Sequence, residues 1–106
     1  MTPSELAKVA EFLGRKIEYQ LVGHNRRVRF VDSELGVWSA MSDADLTMAL
    51  LEKLAERGYE PAVCDRGTDY APELRYEASW GLGLNDQRCA HTWLDAVVAA
   101  VLEVVK

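Results

Sequence analysis

The chain has few of the features that mark a specialised protein class. Its 106 residues include two cysteines, Cys64 and Cys89, which are too few for the disulfide framework of a small secreted domain. The longest apolar stretch, 96–102, is much shorter than the ~18 residues that a membrane span needs. The first residues lack the basic and then apolar pattern of a signal peptide. We therefore expect a cytoplasmic protein that does not associate with a membrane.

Positive charge is also scarce, and half of the basic residues lie within the first 31 positions. The formal net charge is −5. Residues 1–31 hold six basic and three acidic side chains, whereas residues 32–106 hold six basic and fourteen acidic ones. Because an acidic surface is repelled by phosphates, we expect nucleic acid to be an unlikely partner unless the basic end acts alone.

Three segments carry the chemical signals of a helix start. Thr2, Ser42 and Thr92 are each followed three residues later by an acidic residue. The hydroxyl can then cap the first turn, and the carboxylate favours the positive end of the helix. Gly14 and Gly58 are suited to end the first two helices. The sequence predicts helices over about 3–13, 43–57 and 93–106.

Alternation of apolar and polar residues predicts four strands. Segments 17–21 and 28–30 alternate on either side of the turn-rich segment 23–26, which predicts a hairpin. A shorter strand is expected at 60–65. The longest alternation, 74–84, predicts a strand with one apolar face formed by Leu74, Tyr76, Ala78, Trp80, Leu82 and Leu84.

These elements follow one another in the order αββαββα. They predict a single α+β domain over residues 1–106, in which three helices pack on a mostly antiparallel four-stranded sheet. The polar outward positions of the strands favour helix packing on one face of the sheet. The pattern leaves open whether helices cover one face or both.

Several segments together resemble a known family. Segment 38–45 has a Ser-Asp cap and leads into a helix whose part 49–54 ends in Leu-Glu-Lys-Leu. Trp80, in a late predicted strand, is followed by the Thr92 cap and the Ala/Val-rich segment 96–105. Over most of its length the chain resembles the small phage-encoded "phage ABA sandwich" domains. That resemblance implies a phage or prophage origin, a bacterial host cytoplasm, a sheet with packed helices and no established activity.

Residue types that support catalysis or metal binding occur without the necessary spacing. Cys89 and His91 form one short pair in a predicted loop, whereas structural zinc sites usually present two such pairs. No third group is placed to orient a catalytic Cys–His pair. Cys64 is expected to pack as a small buried apolar residue. Gly81 and Gly83 fall inside a predicted strand, where glycine marks a bulge or a close backbone approach. We expect no enzyme activity, no cofactor and no metal.

A group of mainly acidic residues is the first candidate binding surface. Some lie in the first turn of the second helix and the others in the polar loop 65–73. Loops on a rigid scaffold often carry binding functions, although a plain connection explains this loop equally well. The members of this predicted acidic surface are Asp43, Asp45, Asp65, Asp69, Tyr70 and Glu73.

Two further sets of residues have open interpretations. Arg26, Arg27 and Arg29 lie in the predicted hairpin and could contact phosphates or an acidic partner. A solvated face with ion pairs across the hairpin is the simpler explanation. Trp38 and Trp93 are either partly exposed interface anchors or caps on the ends of the core.

The sequence thus favours a small non-enzymatic phage or prophage accessory protein that binds a host or phage protein. One alternative is an inhibitor of a bacterial antiphage defence complex, which would act through the acidic surface. The other alternative is a nucleic-acid-binding regulator that uses the basic hairpin. A homodimer is compatible with all three.

Overall fold

A computed structural model gives the architecture of most of the chain. For the strands between residues 17 and 40, the description is of the backbone pairing and not of the side chains. The described residues are 3–14, 17–22, 27–32, 39–40, 42–83 and 85–106. The elements are α1 (Pro3–Leu13), β1 (Ile17–Val22), β2 (Arg27–Asp32), β3 (Ser39–Ala40), α2 (Asp43–Glu56), β4 (Ala62–Asp65), a 3₁₀ turn (Pro72–Leu74), β5 (Tyr76–Ser79), β6 (Gln87–Ala90) and α3 (Trp93–Val104).

The α+β class and the three helices are confirmed. Ser42 Oγ accepts a hydrogen bond from the Asp45 N–H at 3.1 Å, and Thr92 Oγ1 accepts one from the Asp95 N–H at 3.0 Å. Both side chains therefore cap a helix as the sequence predicts. Gly58 follows α2 with φ of 89°, a left-handed conformation that glycine adopts without strain. The predicted cap at Thr2 lies outside the described residues.

The prediction of one four-stranded sheet was wrong. The described strands form two three-stranded antiparallel sheets, in the orders β1-β2-β3 and β4-β5-β6. The predicted hairpin is confirmed as the β1–β2 pair, in which Tyr19 is opposite Phe30. The predicted strand at 60–65 is present as β4. The additional strands are β3 and β6, which the alternation of residue types does not reveal.

The long strand predicted at 74–84 is the main error. Leu74 lies in the 3₁₀ turn and is 45% exposed, and Leu82 lies in a bend and is 93% exposed. The chain turns after Trp80, because the Asp86 N–H donates to the Gly83 carbonyl at 3.1 Å and the Trp80 N–H donates to the Asp86 carbonyl at 3.1 Å. These bonds begin the return strand β6 instead of extending β5.

The hydrophobic core lies between the three helices and the inner face of β5. Helix α3 packs on β5 and β6 and against α2 and α1. Trp80 is buried, as predicted, and so are the apolar stripes of all three helices. This arrangement covers one face of the β4-β5-β6 sheet. The buried core residues are Val9, Phe12, Leu13, Leu46, Leu50, Leu54, Ala78, Trp80, Ala96, Val97, Val98, Ala100 and Val101.

Candidate interaction groove

An open groove lies where the first turns of α2, the start of α3 and strand β4 meet. Its volume is about 490 Å³, which is within the range of sites that take small molecules or the side chains of a partner. We call this feature the α2–β4 groove. Its lining residues are Asp43, Ala44, Thr47, Met48, Leu51, Val63, Thr92, Trp93 and Leu94.

The groove exists because the apolar face of α2 is wider than the stripe of residues that α2 buries in the core. Leu46, Leu50 and Leu54 recur every four residues and are buried in the core. Met48 and Leu51 lie to one side of that stripe and line the groove instead. Met48 is 56% exposed, so a large flexible apolar side chain meets solvent at this wall.

Trp93 also lines the groove and packs against Tyr76 of strand β5. Its ring centroid lies 4.6 Å from that of Tyr76, and the two ring planes are tilted by 45°. Such tilted aromatic pairs are favourable beyond the area that they bury. The residue is still 41% exposed. Trp93 is therefore held by the sheet from one side while part of its surface remains available in the groove.

The polar groups of the lining are mostly used within the protein. The Thr47 hydroxyl donates to the Asp43 carbonyl at 2.7 Å, and the Thr92 hydroxyl accepts from the Asp95 N–H. Asp43 is the one charged residue among the described residues that line the groove. Asp45 and Asp95 lie in the first turns of the same two helices, where carboxylates favour the positive helix ends. The groove is thus an apolar surface with acidic groups at one end.

The structure divides the predicted acidic surface. Asp43 lines the groove and Asp45 is exposed on the same helical turn. Asp65 instead receives hydrogen bonds from Arg75 Nε and Nη2, both at 3.0 Å, and from the Gly67 N–H at 2.9 Å. The hydrogen bonds from the Arg75 guanidinium, followed by that from Gly67, lower the pKa of the Asp65 carboxyl.

The loop that follows Asp65 is tied to the sheet by one arginine. The Arg66 guanidinium lies 3.9 Å from the centre of the Tyr70 ring, which is a cation–π distance. Arg66 Nη1 also donates to Cys89 Sγ at 3.3 Å, and Nε lies 3.8 Å from Glu77 Oε2. Tyr70 thus has a structural contact within the protein. Asp69 and Glu73 are exposed on the same loop.

The two cysteines are placed differently from their predicted positions. Cys64 is exposed, not buried, because it faces outward from the edge strand β4. Cys89 lies in strand β6 and not in a loop. Glu77 is opposite both of them in the strand register, so the two thiols are separated by two strand spacings. His91 pairs with Asp95, with Nε2 and Oδ2 3.4 Å apart.

The structure describes the strand pairing of two of the three basic candidates. Arg27 and Arg29 lie in β2, where the register pairs them with Val22 and Gln20. Arg26 and Trp38 lie outside the described residues. Within the described part of the chain, no three His, Cys, Asp or Glu residues are grouped so as to hold a metal ion.

Sequence reasoning named Asp43 and considered Trp93, but it missed Met48, Leu51 and Val63. An available signal was the broad apolar face of α2, on which Ala44, Met48 and Leu51 extend beyond the stripe that the core needs.

None of the helices in the described ranges is long and apolar enough to cross a membrane. In comparisons with known proteins, no family model matches the chain, and neither a curated protein nor a solved structure is similar to it.

Proposed function

We propose that this chain is a non-enzymatic accessory protein, of phage or prophage origin, that binds another protein in the cytoplasm of a bacterial host. The α2–β4 groove is its binding surface. One observation carries this proposal: Met48 and Trp93, two large and exposed apolar side chains, line the same groove. Single exposed apolar residues are ordinary on protein surfaces, whereas a concave apolar group marks a binding site.

The residue types in the groove suit a protein partner. Tryptophan and methionine are enriched in the buried centres of protein interfaces. Trp93 already packs on Tyr76, so it loses little conformational freedom when a partner covers it. Met48 can adapt its shape to the partner, because its side chain is unbranched. The groove therefore combines one fixed anchor with one adaptable wall.

A second candidate function is inhibition of an antiphage defence complex. The positions of Asp43 and Asp45, in the helical turn that borders the groove, favour this candidate. Carboxylates held on a helix could occupy a basic surface of the complex that otherwise contacts nucleic acid. Under this hypothesis the variant Asp43→Asn/Asp45→Asn should lose binding, while Met48→Ser should retain it.

The groove proposal can be tested by selecting peptides from a random display library on the immobilised full-length protein. We expect enriched peptides to bind Met48→Ser about tenfold more weakly than wild type, because the variant removes much of the apolar wall. Leu82→Ser is the matched control, since Leu82 is also an exposed large apolar residue and lies outside the groove lining.

Equal binding of the selected peptides to both variants would place the binding surface elsewhere. A library that yields no enriched peptide would also contradict the groove proposal. Circular dichroism of both variants serves as a check that neither substitution unfolds the domain.

A further inference from the structure

Strand β4 forms an edge of the sheet next to the groove. Among the described residues it pairs with β5 alone. The Arg66 N–H donates to the Arg75 carbonyl at 2.8 Å, which marks this pair as a hydrogen-bonded one. In an antiparallel ladder such pairs recur every second residue. Ala62 and Cys64 therefore direct their backbone groups towards β5, and Val63 and Asp65 direct theirs to the other side.

Helix α2 and strand β4 both line the groove. Helix α2 packs against α3 and α1, whereas α3 is the helix that covers β5 and β6. Residues of α2 form one part of the groove lining, and Val63 forms its lining on the sheet side. The same residue thus offers a side chain to the groove and outward-directed backbone groups to the sheet edge.

From this juxtaposition we infer that the partner binds as an extended strand added to the edge of β4, with apolar side chains in the groove and basic residues flanking them. This inference rests on the proposed function and specifies how the groove is used. Strand addition joins main-chain hydrogen bonds to pockets for alternate side chains. Here the hydrogen bonds come from Val63 and Asp65, and the pocket lies between Met48 and Trp93.

The size of the groove limits how many side chains it accepts. Its α2 wall runs from Asp43 to Leu51, which corresponds to about 12 Å along a helix axis. Residues on one face of a strand recur every ~6.6 Å. Two apolar side chains separated by one residue therefore fit, and the intervening residue points to the opposite face of the sheet.

The acidic residues near the groove indicate which residue type should flank the apolar residues of the partner. Asp43 lies in the groove lining, Asp45 and Asp95 lie in the adjoining helix starts, and the whole chain carries −5. A segment with lysine or arginine two positions from its apolar residues, and so on the same face of the strand, complements this end of the groove. A second copy of this chain would instead bring the same acidic residues against one another, and a nucleic acid would bring phosphates.

The test uses the full-length protein and a synthetic peptide, called the alternating peptide, in which lysine, leucine, leucine and arginine occupy every second position and serine fills the positions between them. In one derivative, N-methyl groups replace the amide hydrogens that would face β4, and in the other they replace those that face away. We expect the first derivative to lose at least about tenfold in affinity and the second to bind like the parent. A peptide of the same composition with leucines four residues apart controls for helical docking and for charge.

The outcomes distinguish a failure of the strand-addition inference from a failure of the proposed function. If both methylated derivatives bind like the parent, or if the helical peptide binds more tightly, strand addition is wrong while groove binding stands, provided that Met48→Ser still weakens the complex. If the alternating peptide does not bind wild type, strand addition is overturned. If the display library also enriches no peptide, groove binding fails as well.

Discussion

The carboxylate of Asp86 lies where a Cβ atom on Gly81 would have to fit. That Cβ would be 2.5 Å from Asp86 Oδ2, and one on Gly83 would be 3.0 Å from the same oxygen. The oxygen also accepts a hydrogen bond from the Gly83 N–H at 3.3 Å. The two glycines therefore allow the turn between β5 and β6 to close around a carboxylate.

We expect Gly81→Ala to destabilise the fold by about 1 kcal/mol, because the added methyl group overpacks the turn. The cost should fall markedly when Asp86 is changed to alanine, since the atom that clashes is then absent. Urea unfolding of the two single variants and the double variant measures this coupling. An equal cost of Gly81→Ala in both backgrounds would show that Asp86 does not restrict the turn.

Variants of two leucines test whether the chain bends after Trp80 or continues as the long strand that residue alternation predicts. Leu82 lies in the bend, and Leu50 is a core residue for comparison. Leu50 is fully buried and Leu82 is 93% exposed. We expect Leu50→Ala to lower the free energy of unfolding by about 2–5 kcal/mol through loss of buried apolar contacts and formation of a cavity. Leu82→Ala should change it by less than about 0.5 kcal/mol. A large loss on changing Leu82, measured by the same denaturant titration, would support the long strand and contradict the bend.

The limits of sequence reasoning follow from which interactions are local. Ser42 and Thr92 cap their helices through bonds to residues three positions away, so the pattern of residue types contains the whole interaction. The segment 74–84 alternates as well as any strand, and yet it bends after Trp80. The bend depends on Asp86, whose carboxylate and backbone contact Gly83 and Trp80, and alternation carries no information about such a contact.

The Asp65–Arg75 pair predicts a specific dependence of stability on pH. Because these hydrogen bonds lower the pKa of Asp65 below its ordinary value of 3.8 in the folded protein, protonation favours the unfolded chain. The stabilising contribution is present above that value and is lost as the pH falls through the lower folded-state pKa. Wild type should thus be more stable than Asp65→Asn at neutral pH, and the difference should shrink in acid.

Thermal unfolding of both proteins between neutral and strongly acidic pH measures that difference. Comparison with the variant removes the contribution of Glu103, whose pKa is also lowered, mainly by its hydrogen bond from Lys106. A difference that stays constant over the whole range would mean that Asp65 does not titrate with folding.

The two thiols should remain unpaired within one molecule. Cys64 and Cys89 lie two strands apart in the register, a separation of about 10 Å, whereas a disulfide needs Cα atoms about 4.4–6.8 Å apart. We expect two free thiols per native chain after mild oxidation, with Cys64 modified faster because it is exposed. Thiol titration followed by mass spectrometry would reveal an internal disulfide if this strand order were wrong.

Only some of the residues that line the groove could be predicted from the sequence. Asp43 could be named because a helix start has a local signature, and Trp93 because it follows a cap. Met48 and Val63 line the groove together because α2 and β4 come close to each other only in the folded chain. That relationship joins residues distant along the chain, and no local pattern encodes it.

Binding through the α2–β4 groove is the central claim, and amide chemical-shift mapping tests it most directly. Isotope-labelled protein would be titrated with the alternating peptide, in which lysine, leucine, leucine and arginine occupy every second position. We predict that the largest shifts occur at Met48 and Val63 and at the indole N–H of Trp93. The largest shifts instead in the loop 66–75 or in the hairpin strands β1 and β2, with these groups unchanged, would contradict the account.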